Sequence, residues 1–191
     1  MPAASRQRPS RRLGARSNHL LYPLDVVYRS AGVAVPVARE IGPDDLPHPY
    51  RGLLSHRSDM TQTLERHYGG RINIRPLSTS HRGRWYMRRV LLVQEYSGRP
   101  VEMGAIRIAL DVFSARVRAQ ILKGHLPLGR IMRDAALDYH SRASAFFEIT
   151  PNSDMMGVFW MREPRALYGR QTEVTLGGTK FGDIVEVLPL V

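Results

Sequence analysis

The chain has no cysteine among its 191 residues, and it has only two lysines, Lys123 and Lys180. Without cysteine, disulfide bonds and thiolate metal sites are both excluded. No apolar run approaches the roughly 20 residues that a membrane span requires, so we expect no membrane partner. Arginine carries nearly all of the positive charge in a chain whose formal net charge is +11.

Acidic residues are missing from the first 24 positions, which contain five arginines. Residues 1–18 are rich in Arg, Ser and Pro and poor in apolar groups, so we predict a disordered basic arm there and one folded domain over residues 19–191. An arginine-rich start without acids also resembles a transit peptide, but the apolar segment of a secretory signal is missing. We expect a cytoplasmic monomer. No aromatic–basic pattern of a nucleic-acid-binding motif is present, so nucleic acid is not an expected partner.

Hydrophobic alternation and turn residues predict a hairpin-rich chain. Helices are predicted from Ser58-Asp59 to the Gly69-Gly70 stop, after Asp111, and after Pro127. Residues 20–50 are broken by prolines and predict an irregular wrap with one short strand near 33–37, and residues 151–157 predict a loop. Strands are predicted at residues 71–75, 86–95, 101–110, 144–150, 167–176 and 181–188. Since no βαβ alternation is visible, the predicted fold class is α+β, with helices packed on an antiparallel sheet.

Several kinds of chemistry lack their usual residues. The chain has no Gly-x-Ser-x-Gly turn, no His-x-x-x-His or His-x-His pair, and no glycine-rich loop before a helix. We therefore predict no metal and no cofactor.

Charged residues inside predicted strands are the strongest functional signal. Arg88 alternates with Tyr86 and Val90, and its neighbour Arg89 lies on the other, equally apolar face, so at least one arginine enters a core or a pocket. Glu186 lies in the last strand, whose two faces both read as apolar. A buried carboxylate must be paired, protonated or functional. Arg88 and Glu186 either pair with each other or hold the two ends of a ligand, and the spacing leaves both alternatives open.

Five short motifs occur in an order that resembles the chorismate pyruvate-lyase family over about residues 50–189. They are Asp59-Met60-Thr61 with Leu64-Glu65, Tyr86-Met87-Arg88 with Val90-Leu91-Leu92, Pro127-Leu128-Gly129-Arg130, Leu167-Tyr168-Gly169-Arg170, and Glu186 with Leu188-Pro189. The resemblance implies an antiparallel sheet with helical flaps over an internal ligand cavity. It also implies conversion of chorismate to 4-hydroxybenzoate and pyruvate without a cofactor.

The same resemblance implies roles for individual residues. Arg88 matches the arginine that grips the carboxylate of the aromatic acid, and Glu186 matches the carboxylate at the opposite, hydroxyl end, where it would serve as a general acid or base. Met60 and Leu128 match flap positions that close over the ligand. On this interpretation the partner is a small molecule, chorismate or a related aromatic acid.

The chain departs from the family pattern near the expected site. Arg89 stands where well-known members carry a glutamate, and Ala105 stands where they carry an arginine. The second carboxylate of the substrate therefore needs another anchor, for which Arg107 is the first candidate and Arg170 the second. An insertion at Pro151–Pro164 precedes the final hairpin and would reshape the flap.

Two alternatives to a lyase follow from the same residues. The fold also serves as the effector-binding domain of some winged-helix transcription regulators, so the chain could be a non-catalytic sensor of small aromatic acids. The proline-broken first 50 residues do not resemble a winged-helix DNA-binding domain. In the third alternative Arg88 and Glu186 form a structural pair in a filled core.

Overall fold

The computed structural model describes residues 20–189, so the predicted arm at residues 1–18 lies outside the described residues. The helices are α1 (Leu24–Ser30), α2 (Tyr50–Leu54), α3 (Met60–Tyr68), α4 (Ala115–Lys123), α5 (Leu128–Asp134) and α6 (Ser153–Val158). The strands are β1 (Val37–Ile41), β2 (Ile72–Arg82), β3 (Trp85–Gln94), β4 (Pro100–Ala109), β5 (Tyr139–Thr150), β6 (Leu167–Leu176) and β7 (Thr179–Leu188). Short 3-10 turns lie at Pro43–Asp45 and Leu110–Val112.

All seven strands form one antiparallel sheet in the order β1-β5-β6-β7-β4-β3-β2. The predicted α+β class and its single sheet-based domain are confirmed. None of the helices within residues 20–189 has the length and apolar character that a membrane span requires.

Alternation along the strands divides the apolar side chains between two layers. One layer, with Leu91, Met103 and Val185, packs against α1 and α6. The other layer packs against α4 and α5 on one side and against α2 and α3 on the other. The site described below lies on this second face, between α3 and α5.

Several local predictions differ from the structure. The short strand predicted near 33–37 is β1 at Val37–Ile41, and the strand predicted at 144–150 is the second half of β5, Tyr139–Thr150. The stretch 20–50 contains α1 and the start of α2 besides a strand, and the predicted loop at 151–157 is the helix α6. The predicted strand at 71–75 is the first part of the longer β2. The helix after Asp111 begins only at Ala115, because the hydroxyl of Ser114, not the carboxylate of Asp111, caps it by accepting a hydrogen bond from Val117 N at 3.4 Å.

A register shift in the last hairpin aligns the charged residues. Near the turn, Leu176 pairs with Thr179 and Thr175 with Lys180, but the next pair on is Val174 with Gly182. One extra residue in β7 therefore moves every later pair by one position. As a result Arg170 lies directly opposite Glu186.

Candidate ligand-binding site

A cavity of about 90 Å³ lies between the second face of the sheet and the amino-terminal ends of α3 and α5. Its floor consists of alternate residues of β3, β4, β6 and β7, which share one face because the side-chain period of a strand is two. Its roof includes Met60 at the start of α3 and Leu128 and Gly129 at the start of α5. The two flap residues expected from the sequence, Met60 and Leu128, thus line the cavity.

Arg88 enters the cavity as a buried cation without a counter-ion. Its side chain is 2% exposed, and its Nη2 donates a hydrogen bond to the carbonyl of Leu126 at 3.2 Å. Nε and Nη1 have no hydrogen-bond partner, and Arg88 belongs to none of the ion pairs formed by the described residues. Burial lowers the pKa of the Arg88 guanidinium and the neighbouring Tyr86 phenol opposes that shift, although arginine remains charged in proteins. An unpaired buried cation is costly, so this arginine is a strong candidate to hold an anion.

Glu186 pairs with Arg170 and not with Arg88. Arg170 Nε donates to Glu186 Oε2, and the Thr172 hydroxyl donates to the same oxygen at 3.2 Å. Arg170 Nη1 also donates to the carbonyls of Leu54 at 2.9 Å and His56 at 3.2 Å. Arg170 and Glu186 both line the cavity, but the charge of each is already compensated by the other. Arg170, the second candidate for an anion anchor, therefore enters the cavity as half of an ion pair.

Asp59 fastens the two roof helices together. It caps α3 through a hydrogen bond that its Oδ1 accepts from Gln62 N at 3.1 Å, and its Oδ2 forms an ion pair with Arg133 of α5 at 3.0 Å. The phenol of Tyr139 donates to Oδ2 at 3.3 Å, and burial together with Asp59 raises the pKa of that phenol to about 12. The fit is tight: a Cβ added to Gly129 would lie 1.5 Å from Asp59 Oδ2.

Glu102 is a cavity residue that the sequence analysis missed. It is 4% exposed, its Oε2 has no hydrogen-bond partner, and burial, with a further contribution from the Glu186 carboxylate, raises its pKa well above the usual value. The signal was available, because Glu102 alternates with Gly104 and Ile106 in an apolar strand just as Glu186 does in its own strand.

Arg89 and Arg107 lie on the opposite face of the sheet from Arg88. Arg89 forms a bidentate pair with Asp154 at 2.5 and 3.1 Å. Arg107 does not line the cavity: the strand register places it opposite Met87, and its guanidinium carbon lies 3.5 Å from the centre of the Trp85 ring. The structure therefore does not bring Arg107, the first candidate for a second anchor, to the cavity. Among residues 20–189, no group of three His, Asp or Glu side chains could hold a metal ion.

Comparisons with known proteins match structures and not sequences. No family model and no curated protein match the chain. PhnF from Mycobacterium smegmatis matches with a TM-score of 0.51 and 9% identity, over 70% of this chain and 64% of that chain. A putative transcriptional regulator from Streptomyces coelicolor matches with a TM-score of 0.43 and 13% identity, over 62% of this chain and 86% of that chain. The C-terminal domain of the histidine utilization repressor from Pseudomonas syringae matches with a TM-score of 0.40 and 15% identity, over 62% of this chain and 92% of that chain.

The fold is the chorismate lyase-like fold. At 9% identity the match to PhnF shows the fold alone, and this chain spans 64% of the length of PhnF.

The prediction that the chain is an enzyme, a chorismate pyruvate-lyase, is wrong. The prediction rested on the resemblance to the lyase family, yet no family model matches the chain, and the solved structure whose match shows the fold is PhnF. The site geometry agrees, since Glu186, the expected general acid or base, is held by Arg170 and Thr172. The fold resemblance is correct, and the activity inferred from it is not.

Proposed function

We propose that this chain is a non-catalytic ligand-binding domain that holds a small organic anion on Arg88. The observation that carries the proposal is the pair of buried, unpartnered nitrogens, Nε and Nη1, of a cavity-lining arginine. A guanidinium presents its donors as a planar fork that matches a carboxylate. A bound anion would supply the missing hydrogen bonds and the missing counter-charge together.

The size of the cavity limits the ligand. At about 90 Å³ it is smaller than an engineered apolar cavity of about 150 Å³ that binds benzene. A compact aliphatic acid therefore suits the cavity as it stands, and a ring would need α3 or α5 to move outward. The proposed ligand is therefore a smaller carboxylate than the aromatic acid expected from the sequence.

The arrangement favours holding a ligand over transforming it. The carboxylate of Glu186 is occupied by Arg170, and Asp59 is occupied by Arg133, Tyr139 and the amide of Gln62. The domain would then act as a sensor, whose function is to bind the ligand and not to convert it. The cytoplasmic location and the monomeric state stay predictions.

Thermal unfolding and calorimetry of the full chain test the proposal. The probes are acetate, propanoate, butanoate and benzoate, each at saturating concentration. A ligand present at 100 times its Kd stabilises the folded state by about 2.7 kcal/mol, which gives a measurable rise in Tm. We expect at least one aliphatic acid to raise the Tm of the wild type, and nuclear magnetic resonance to show the acid unchanged after incubation.

Arg88→Met should abolish the rise, because methionine fills similar space without charge. Arg118→Met is the matched control, since Arg118 is exposed on α4, and it should respond as the wild type does. An equal rise in Arg88→Met would overturn the proposal, and so would a wild type that binds no small carboxylate, whether a simple acid or an amino acid.

A further inference from the structure

The cavity contains a buried acid that anion binding at Arg88 leaves unused. Glu102 lies in β4 and is buried, with Oε2 unpartnered. Burial of a carboxyl oxygen without a hydrogen-bond partner costs free energy, so it calls for a specific explanation. No ion pair among the described residues involves Glu102.

Glu102 and Glu186 converge above a position that has no side chain. Glu186 lies directly opposite Gly104 in the sheet. Glu102 Oε1 lies 3.1 Å from the point that a Cβ at residue 104 would occupy, so the carboxyl group lies over the glycine that is paired with Glu186. Any larger residue at 104 would push the carboxyl group away.

This acidic end of the cavity is separate from its basic end. Arg88 lies opposite Ile106 in the register, two residues along β4 from Gly104, or roughly 7 Å at strand spacing. Arg170 lies at the acidic end, but Glu186 compensates its charge. The cavity therefore presents an unpartnered cation at one end and an unpartnered carboxyl group at the other.

We propose that the ligand is a small zwitterion, whose carboxylate binds Arg88 and whose ammonium group binds Glu102 beside Glu186. The inference rests on the proposed function and adds the chemical class of the ligand. An ammonium group has three donors and no acceptor, which suits a pocket where two carboxyl groups converge. With Glu102 ionised, the two arginines balance the two glutamates, and a zwitterion keeps the site neutral.

Binding of this ligand should release a proton. The charged groups facing Glu102 are Glu186 from β7, Arg170 from β6 and Asp59 ahead of α3, with Arg88 across the cavity on β3. Burial and then Glu186 raise the pKa of Glu102 in the free protein, and an ammonium ion lowers it again. Affinity for the zwitterion should therefore increase with pH until it passes the pKa of Glu102 in the free protein. Affinity for a simple carboxylate should decrease over the same range, because ionised Glu102 repels it.

Matched pairs of acids separate the two ends of the site. The probes are glycine against acetate, β-alanine against propanoate, and 4-aminobutanoate against butanoate, measured by calorimetry on the full chain. In at least one pair we expect the amino acid to bind about tenfold more tightly, the size that one charge-assisted hydrogen bond supplies. Glu102→Gln, which keeps the shape and removes the charge, should remove that preference. Glu95→Gln, on an exposed glutamate, should preserve it.

Proton release gives a second readout that does not depend on a variant folding. The binding heat of the wild type, measured in Tris and in imidazole buffers, should show close to one proton released with the amino acid and none with its partner acid. Equal affinity within all three pairs, with binding still abolished by Arg88→Met, would overturn the zwitterion inference and leave the proposed function standing. If neither amino acids nor simple acids bind, both fail.

Discussion

Arg88 and Arg89 are consecutive residues in β3 with opposite energetic situations. Arg88 is buried with two unpartnered nitrogens, whereas Arg89 forms two hydrogen bonds with Asp154 and lies 5.1 Å from the centre of the Tyr28 ring. Replacing a poorly compensated buried charge with an apolar side chain often stabilises a protein, and removing one partner of a compensated pair destabilises it. The same substitution at the two positions should therefore have opposite effects.

Arg88→Met should raise the free energy of unfolding of the ligand-free chain by about 1–3 kcal/mol, because no compensated pair is lost. Arg89→Met should lower it by about 2–3 kcal/mol, because Asp154 loses both charge-assisted hydrogen bonds. Urea unfolding of the two variants and the wild type measures both changes. If Arg88→Met destabilised the protein, the charge of Arg88 would be compensated in the ligand-free chain, which would contradict the absence of partners for its Nε and Nη1.

At the scale of the residue, Glu102 and Glu186 show which properties of a charged strand residue the alternation of the sequence can predict. Alternation predicts that at least one of Arg88 and Arg89 is buried and that Glu186 is buried, and the structure buries Arg88 and Glu186. It does not indicate the partner, which depends on register. Without the extra residue in β7, the two-residue turn would have set Arg170 opposite Val185, and Glu186 would have lacked its cation.

At the scale of the element, α3 and α5 depend on one carboxylate. Asp59 caps α3 and forms an ion pair with α5, and the absence of a side chain at Gly129 is what admits it. Helices of nine and seven residues are too short to be stable alone, so such tertiary links maintain them.

Gly129→Ala should destabilise the chain by about 1–3 kcal/mol, because the new methyl group displaces Asp59 from its cap and its ion pair. Gly157→Ala is the matched control in a short helix, where a Cβ meets nothing within 4 Å. It should stabilise the chain by about 0.5–1 kcal/mol through helix propensity. Thermal unfolding distinguishes the two, and equal stabilisation by both would contradict the role given to Asp59.

Two of the three helices that the sequence did not predict, α1 and α2, were missed for the same reason. Pro23 and Pro49 were interpreted as breaks, yet each directly precedes a helix, α1 and α2 respectively. Proline is tolerated at a helix start because the first amides have no helical partner there. For α6 the signal was present and overlooked, since Asn152 Oδ1 accepts from Met155 N at 2.9 Å as an ordinary cap. The central hairpins were predictable because their turns and alternation are local.

At the scale of the whole molecule, the floor and the roof of the cavity differ in what maintains them. The floor strands β6, β7, β4 and β3 are consecutive neighbours inside a seven-stranded sheet. The roof helices pack on that sheet through their side chains. Local opening should therefore cost less free energy in the roof than in the floor.

Hydrogen exchange on the ligand-free chain should show amides of α3 and α5 exchanging through local opening, while those of β4 and β7 exchange only on global unfolding. Adding a carboxylate that binds should slow exchange in α3 and α5 more than in α4, which does not line the cavity. Mass spectrometry of exchanged peptides measures both effects. Equal exchange in roof and floor would contradict this division.

The Asp59–Arg133 ion pair determines on which surface of the protein a partner could respond to ligand binding in the cavity. The spacing of the floor groups is fixed by hydrogen-bonded ladders, so a bound molecule cannot move them apart without shearing the sheet. The helices α3 and α5 are the part of the site that can move when a ligand binds. A partner protein bound to α3 or α5 would therefore respond to occupancy of the cavity, whereas one bound to α1 or α6, on the other face of the sheet, would not.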